Sequence, residues 1–304
     1  MRAVVWTLVG GLLACEAERP ANVFPDRDAV PAADTGGTSA PDASLGDGVF
    51  RADGQWLLFI QDRYCLYAAG QSVDYLIWAW YLAELTPLGP GATGDELYVR
   101  QRLQMCGEEM SPVVGGLQTY VPAAIPANLP VQVVDAFALG RRPGSTWLSQ
   151  ELVELWGVGD LPVDAPMPET ADDPAVVDQD GDGSPGVTIT IGNGFCDVYL
   201  AQRTRYRIRG ALVNEHRIEG TVWSEVDQQV LGATLPFCAS ENQLEPPPDG
   251  TRVVLQRIDG RNGGRDLDAD GDDAVSCAEV LAARDDLLAA GTVVKDAPDT
   301  ARCR

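Results

Sequence analysis

The residues with the clearest chemistry lie near the C-terminus, in an acidic segment that runs from Asp266 to Glu279. Five aspartates fall within its first eight residues, and carboxylates this close repel one another unless a cation neutralises them. Calcium takes oxygen ligands from alternating positions of a twelve-residue loop, with a bidentate carboxylate at the last position. The segment therefore predicts a calcium site.

Two registers of this twelve-residue pattern fit the segment. A loop that starts at Asp266 has Gly271 at position 6 but puts Cys277, which offers no oxygen, at position 12. A loop that starts two residues later offers an oxygen at every required position. Its ligands are Asp268, Asp270, Asp272, the Ala274 carbonyl, Ser276 and Glu279. We favour this downstream loop (268–279) although Asp273 replaces the usual glycine at position 6, because aspartate tolerates left-handed backbone.

A second acidic segment, the upstream loop (178–188), begins in the same way. Three aspartates occupy positions 1, 3 and 5, namely Asp178, Asp180 and Asp182. Gly183 matches position 6, but position 12 is Ile189, so the bidentate acid would have to come from Asp172 or Asp173. The loop predicts a second calcium site that leads into a strand. For both loops the alternative is a solvated acidic turn.

The residues that follow the downstream loop predict a helix over 279–288, with Val280, Leu281, Leu287 and Leu288 as its apolar positions. The segment before the downstream loop, 259–265, is rich in glycine, so we expect no helix that enters the loop. Loop and exit helix together resemble half an EF-hand, and the same loop in dockerin-type modules. The resemblance implies that the loop binds calcium.

The upstream loop carries a second resemblance. It reads Asp-Gln-Asp-Gly-Asp-Gly-Ser-Pro-Gly-Val-Thr, and the chain continues through 199–203 and 230–233 in a β-rich segment. This stretch resembles a group of uncharacterised bacterial lipoproteins that share the motif, over about residues 170–285. The resemblance implies a lipid-anchored envelope protein and no known chemistry.

The N-terminus predicts export. Arg2 is followed by the apolar run Ala3–Ala14, which is typical of a signal peptide over residues 1–14 and is too short for a membrane anchor. Cys15 follows Leu-Leu-Ala, which resembles the lipobox of bacterial lipoproteins and implies a lipid on the Cys15 sulfur. Residues 15–49 then predict a disordered tether, because they combine proline, glycine, alanine and aspartate without periodicity. The alternative is an ordinary signal that leaves Cys15 as an unpaired thiol.

Six further cysteines predict three disulfides in an exported protein: Cys65, Cys106, Cys196, Cys238, Cys277 and Cys303. Six cysteines allow 15 connectivities. We predict that neighbours along the chain pair, as Cys65–Cys106, Cys196–Cys238 and Cys277–Cys303. No Cys-x-x-Cys pair is present to suggest a metal–thiolate site.

The body of the chain predicts a mainly β fold, with an N-terminal β-rich region over 50–165 and a C-terminal one over 170–304 that could pack as one unit. Arginines at every second position from Arg203 to Arg209 predict one strand of a hairpin. In the predicted register Arg209 faces Glu219, Arg203 faces Glu225, and Tyr206 meets Val222, so charges share one face and apolar residues the other. The expected architecture is an antiparallel sandwich or incomplete barrel with few short helices, including one after the downstream loop.

An apolar block over 75–83 has no period that distinguishes helix from strand. Its aromatic residues Trp78, Trp80 and Tyr81 suggest either a buried core element or, as the alternative, a sugar-binding strip. We favour the core element, because large aromatic residues in an apolar run are usually buried.

The charge balance limits the partners. Lys+Arg total 22 against Asp+Glu 45, for a net charge of −23, which argues against binding nucleic acid or an anionic membrane surface. The only histidine, His216, falls at the predicted hairpin turn, and no catalytic motif accompanies it. We therefore expect an exported lipoprotein, held on the outer membrane or the periplasmic face, that calcium stabilises and that acts as a structural or binding module for an extracellular protein or glycan. The alternative is a secreted hydrolase of carbohydrate or another extracellular polymer.

Overall fold

The computed structural model describes residues 48–68, 71–91, 94–239, 243–246, 251–299 and 302–303. The predicted signal peptide, the lipidated Cys15 and nearly all of the tether lie outside these residues. All described residues belong to one compact unit of the chain, Ala33–Arg304.

The described chain is mainly β, as predicted, and every strand pairing is antiparallel. The strands are β1 Gly54–Ala68, β2 Gln71–Pro90, β3 Leu97–Met110, β4 Thr119–Tyr120, β5 Gln132–Ala138, β6 Thr146–Ser149, β7 Leu152–Trp156, β8 Val187–Ile191, β9 Cys196–Asn214, β10 Arg217–Ala233, β11 Gln243–Glu245 and β12 Thr251–Arg257. The helices are α1 Ala124–Asn128, α2 Cys277–Ala282 and α3 Arg284–Ala289, and short 3-10 turns span Val114–Gly116, Pro236–Ala239 and Arg261–Gly263.

The sheet curls round until β6 pairs with β9, but the pairing does not continue along the whole length of the strands, so the sheet is not a closed barrel. Its strands pair in the order β9, β10, β12, β1, β2, β3, β5, β6, and β6 pairs with β9 again. β5 pairs only with Leu97–Leu103 of β3. Residues 104–110 of β3 therefore have no strand partner on that side among the described residues. Farther along β9, β7 and β8 form the wall, and β4 extends it beyond β8. We call the place where 104–110 of β3 approach β4 and β8 without strand pairing the seam.

The interior of the curled sheet is the main core. Because side chains alternate along a strand, every second residue points inward, and these positions hold large apolar groups such as Trp56, Leu58, Trp147 and Ile208. Strands from 50–165 and from 170–304 share this one interior.

The outer face of β1 and β2 is buried too. Leu57, Phe59 and Trp80 pack there against Val280 of α2 and Leu287 of α3 in a second core. Burial on both faces explains why these strands read as continuous apolar runs instead of alternating. The block over 75–83 is therefore strand, as part of β2, and its Trp80 and Tyr81 are buried, so it does not form an exposed sugar-binding strip.

The β9–β10 hairpin forms, but its register differs from the predicted one by two residues. Arg203 lies opposite Asp227 and Arg205 opposite Glu225, with ion pairs of 2.6 and 3.4 Å. Arg209 faces Thr221, not Glu219. The turn lies one residue later than predicted, because Asn214 pairs with Arg217 and a register irregularity follows. A shift of two residues keeps each side chain on its predicted face.

Two of the three predicted disulfides are wrong. Cys196–Cys238 is present, whereas the others are Cys65–Cys303 and Cys106–Cys277, with Cα–Cα distances of 5.4 and 4.9 Å. Cys65 and Cys106 do not pair because β2 separates β1 from β3 in the sheet. Cys106 belongs instead to the second core, which α2 and its Cys277 also enter.

The helix predicted over 279–288 is two short helices. α2 begins at Cys277, and Ala283 separates it from α3. Both helices still direct their buried side chains, Val280 and Leu287, into the second core.

The disulfide between β3 and α2 is expected to stabilise the fold more than the one after β9. Loop-closure entropy gives about 5 kcal/mol for its sequence separation of 171 residues, against about 4 kcal/mol for the separation of 42 in Cys196–Cys238. Urea unfolding of the double variants C106A/C277A and C196A/C238A measures the loss of unfolding free energy that follows removal of each disulfide. A larger loss of unfolding free energy in C196A/C238A would contradict this ranking.

Candidate functional site

The upstream loop is shaped by backbone amides that point at its first aspartate. Asp178 Oδ1 accepts hydrogen bonds from the amides of Gly181 (2.8 Å) and Asp182 (3.1 Å), and Oδ2 accepts one from Gly183 (2.9 Å). Gly181 and Gly183 take positive φ values of 74° and 88°, which glycine adopts without steric cost. The amides curl the loop so that its aspartates converge.

The other two aspartates tie the upstream loop to the sheet. Asp180 Oδ2 accepts from the Thr188 amide (2.8 Å), and Asp182 Oδ2 accepts from the Thr188 hydroxyl (2.6 Å), at the start of β8. Gln179 Oε1 accepts from the Gly157 amide (2.7 Å), directly after β7. The loop thus holds two neighbouring strands at the seam side of the sheet.

One oxygen of the upstream loop has no partner. Asp180 Oδ1 is buried and makes no hydrogen bond, although carboxylate oxygens of Asp178, Asp180 and Asp182 all lie within 4.8 Å of one another. Burial raises the pKa of Asp180, and the charges of Asp182 and Asp178 raise it further, against the Thr188 hydrogen bond. A buried carboxylate oxygen without a donor is costly, and a bound cation would supply its partner.

The downstream loop repeats the backbone pattern of the upstream one. Asp268 accepts from the amides of Gly271 (2.7 Å), Asp272 (3.2 Å) and Asp273 (2.9 Å), the same three spacings that Asp178 uses. Asp273, which replaces glycine at position 6, has a φ of 67°. Asp273 therefore adopts the left-handed backbone conformation predicted for position 6.

Glu279 closes the downstream loop and also caps α2. Its Oε1 accepts from the Ala269 amide (2.7 Å), and its Oε2 accepts from the amide and hydroxyl of Ser276 (2.8 and 2.9 Å) in a capping box. These bonds, the Ser276 amide first, lower the pKa of Glu279. Carboxylate oxygens of Asp268, Asp270 and Glu279 lie within 4.8 Å of one another.

The other predicted ligands have different roles. Asp272 lies outside the downstream cluster, and its Oδ1 accepts from the Ala274 amide (3.0 Å). The clusters of the described residues also omit Asp172 and Asp173, so neither supplies a bidentate acid to the upstream loop. Asp173 Oδ1 instead accepts from the Ala175 amide (2.8 Å).

The downstream loop joins three parts of the fold. The Val275 backbone exchanges two hydrogen bonds with the side chain of Gln55 on β1, at 2.7 and 3.0 Å. Cys277 links the start of α2 to Cys106 on β3. The loop thus sets where α2 and α3 cover the second core.

Three carboxyls that the sequence did not reveal face the interior of the curled sheet. Glu154 of β7 accepts from the Tyr81 hydroxyl (2.9 Å) and the Trp156 indole (2.7 Å). Asp62 of β1 accepts from the hydroxyls of Tyr64 and Ser224. Glu108 of β3 is close enough that the charges of Glu154 and Asp62 act on it. We call Asp62, Glu108 and Glu154 the interior carboxyls.

The interior carboxyls hold their protons to a higher pH than exposed carboxyls do. Burial raises the pKa of Glu154 from 4.5 to about 7, raises that of Asp62, and raises that of Glu108 well above its usual range. Among the described residues, no arginine, lysine or histidine forms an ion pair with any of the three. Strand alternation was the available signal, because Asp62 and Glu154 hold inward positions between apolar residues of β1 and β7.

His216 does lie at the hairpin turn, as predicted. Its Nδ1 is 3.2 Å from the carbonyl oxygen of Asn262. No Ser–His–Asp arrangement involving it is present among the described residues.

Comparison with known proteins adds no relative. No protein-family model, no curated protein and no solved structure matches this chain. Within the part of the chain that the structure describes, no helix is long and apolar enough to cross a membrane.

Raising the pH is expected to destabilise the fold through Glu154. Between about pH 4.5 and pH 7 the unfolded chain has released the Glu154 proton while the folded chain still holds it, so deprotonation favours unfolding. The stabilisation is complete below about pH 4.5 and is lost as the pH rises through about 7. E154Q should remove up to about 3 kcal/mol of this pH dependence.

Urea unfolding of wild type and E154Q between pH 4 and 8 measures the effect, with calcium kept saturating. E169Q, at an exposed glutamate, is the matched control and should leave the slope unchanged. Equal pH slopes for wild type and E154Q would show that Glu154 titrates as it does in the unfolded chain.

Proposed function

We propose that this chain is an exported, lipid-anchored protein of the bacterial cell envelope, stabilised by calcium and three disulfides, and that it acts as a structural or binding module and not as an enzyme. The observation that carries the proposal is the buried, unpartnered Asp180 Oδ1 among three converging carboxylates. The lipid anchor on Cys15 is supported by the lipobox-like sequence before it.

Calcium suits both loops better than other common ions do. The clusters offer carboxylate oxygens without histidine or cysteine, which disfavours zinc and copper. The carboxylates of each cluster are close together in the sequence and do not form an octahedral set, and calcium accepts such irregular geometry more readily than magnesium does. Ser276 and the Ala274 carbonyl would complete the downstream site, and the upstream site would complete its shell with water.

The two loops stabilise different parts of the fold. Calcium at the upstream loop would hold β7 and β8 together beside the seam, since the loop bonds to Gly157 and Thr188. Calcium at the downstream loop would hold α2 over the second core. Extracellular calcium loops bind with dissociation constants of about 0.1–1 mM, so a tenfold excess of calcium would add about 1.4 kcal/mol per loop.

The disulfides support export. Disulfides persist in oxidising compartments, and three such pairs in one chain fit a secreted or periplasmic protein. The predicted signal peptide and tether precede the folded part and would place it outside the cytoplasm.

A secreted hydrolase of carbohydrate or another extracellular polymer is the second candidate. It is favoured by Glu154, whose pKa of about 7 suits a general acid. Asp62 and Glu154 are enclosed, however, and Trp80 and Tyr81 are buried, so the described surface does not expose these aromatic residues to a sugar polymer. We therefore rank this function below the binding or structural one.

Calcium is expected to raise the melting temperature of the oxidised mature protein relative to the protein in chelator. The D180N variant should lose the part of this rise that comes from calcium at the upstream loop. A loss of about 1.4 kcal/mol is expected at tenfold calcium excess. Differential scanning calorimetry with calcium and with EGTA measures it. D95N, at an exposed aspartate outside both loops, is the matched control. If calcium raises the melting temperatures of D180N and D95N by the same amount, the upstream loop does not bind calcium and this part of the proposal is wrong.

Lipidation is tested separately. Wild type expressed in a Gram-negative host should incorporate radiolabelled palmitate and sediment with membranes, whereas C15S should do neither, because several acyl chains give durable attachment. The label and the membrane fraction are read after sodium carbonate extraction. Palmitate incorporation into C15S, or wild type that stays in the soluble fraction, would contradict the anchor.

A further inference from the structure

A small pocket opens at the seam. Its volume is about 70 Å³, and its walls come mainly from apolar side chains, including Ile77, Met110, Ile189, Ile191, Val198 and Leu200. Four polar side chains join them, from Tyr75, Thr119, Gln202 and Gln228. None of the described residues that line the pocket carries a charge.

One polar group in this pocket lacks a partner. The Thr119 side chain is 5% exposed, and its Oγ1 makes no hydrogen bond of acceptable geometry. The nearby Tyr75 hydroxyl donates to the sulfur of Met110 (2.8 Å). A buried hydroxyl without a partner costs free energy that a ligand with a hydrogen-bonding group would recover.

The surroundings select against charged ligands. Trp156 lines the pocket and donates its indole N–H to Glu154, so the interior carboxyls lie directly behind this wall. The net charge of −23 would repel an anion. A cation would lose its hydration and find no carboxylate in the lining.

The pocket is small. A cavity of 70 Å³ is about half the volume that holds benzene, so a ring would enter it only in part.

We propose that the seam pocket binds a small, uncharged and mainly apolar molecule that carries one hydroxyl or amide group for Thr119. An apolar pocket with a few convergent polar groups is the common form of a small-molecule site. This inference gives the proposed binding module a ligand class. It depends on the seam and not on either loop binding calcium.

The test uses benzyl alcohol as the probe, with benzoate and benzylammonium as charged analogues of the same size. Each is titrated into the oxidised mature protein in saturating calcium, and the Trp156 indole N–H resonance is followed by NMR. Benzyl alcohol should shift this resonance saturably, and each charged analogue should bind at least about tenfold more weakly, since ion desolvation opposes its entry. Equal binding of benzoate, or no saturable shift with benzyl alcohol, would overturn the proposal.

Two variants locate the site. V198W fills the pocket and should abolish the shift, and I191W, at another lining position, serves in its place if V198W fails to fold. T119V keeps the shape but removes the hydroxyl, and it should weaken benzyl alcohol about fivefold while leaving toluene unchanged. Undiminished benzyl alcohol binding in a folded pocket-filling variant would show that the probe binds elsewhere, which contradicts the proposal whether or not calcium stabilises the protein.

Discussion

The convergence of the upstream carboxylates is the constraint on which the seam side of the fold depends. Asp178 and Asp182 have amide or hydroxyl donors, but Asp180 Oδ1 is enclosed without one. The loop cannot simply spread to relieve this repulsion, because Thr188 and Gly157 fix it to β8 and β7. A bound cation would supply the missing partner, and it would at the same time hold together the wall that faces the seam pocket.

The rest of the molecule is organised around two strands, β1 and β2, that are buried on both faces. β1 supplies Trp56 and Leu58 to the interior and Leu57 and Phe59 to the second core, so the sheet holds two hydrophobic cores. The second core needs α2 and α3 as its cover, and these helices are too short to stay in place alone. The downstream loop and the link from Cys277 to β3 supply that restraint, so the proposed calcium site and the disulfide lie next to each other in the chain.

Local features of the fold could be predicted from sequence, and distant pairings could not. The arginine alternation revealed the β9–β10 hairpin and its faces, since these follow from period-2 geometry, but the turn irregularity after Arg217 shifted the register. Asp273 behaved as its backbone preference suggested. Cysteine pairing depends on sheet order, which puts β2 between Cys65 and Cys106. Sequence reasoning favoured the downstream loop for its Glu279, whereas the unpartnered oxygen is in the upstream loop, because solvation and hydrogen bonding are properties of the folded chain.

The most direct measurement of the central claim is isothermal titration calorimetry of calcium into the oxidised mature protein, compared with the D180N/D270N double variant. The account predicts saturable heats at submillimolar to millimolar calcium in the wild type, and their disappearance in the double variant while its disulfides and strand content stay intact. No heat in the wild type up to several millimolar calcium, or the same heat in the double variant, would contradict the account, because the converging carboxylates would then be tolerated without a metal.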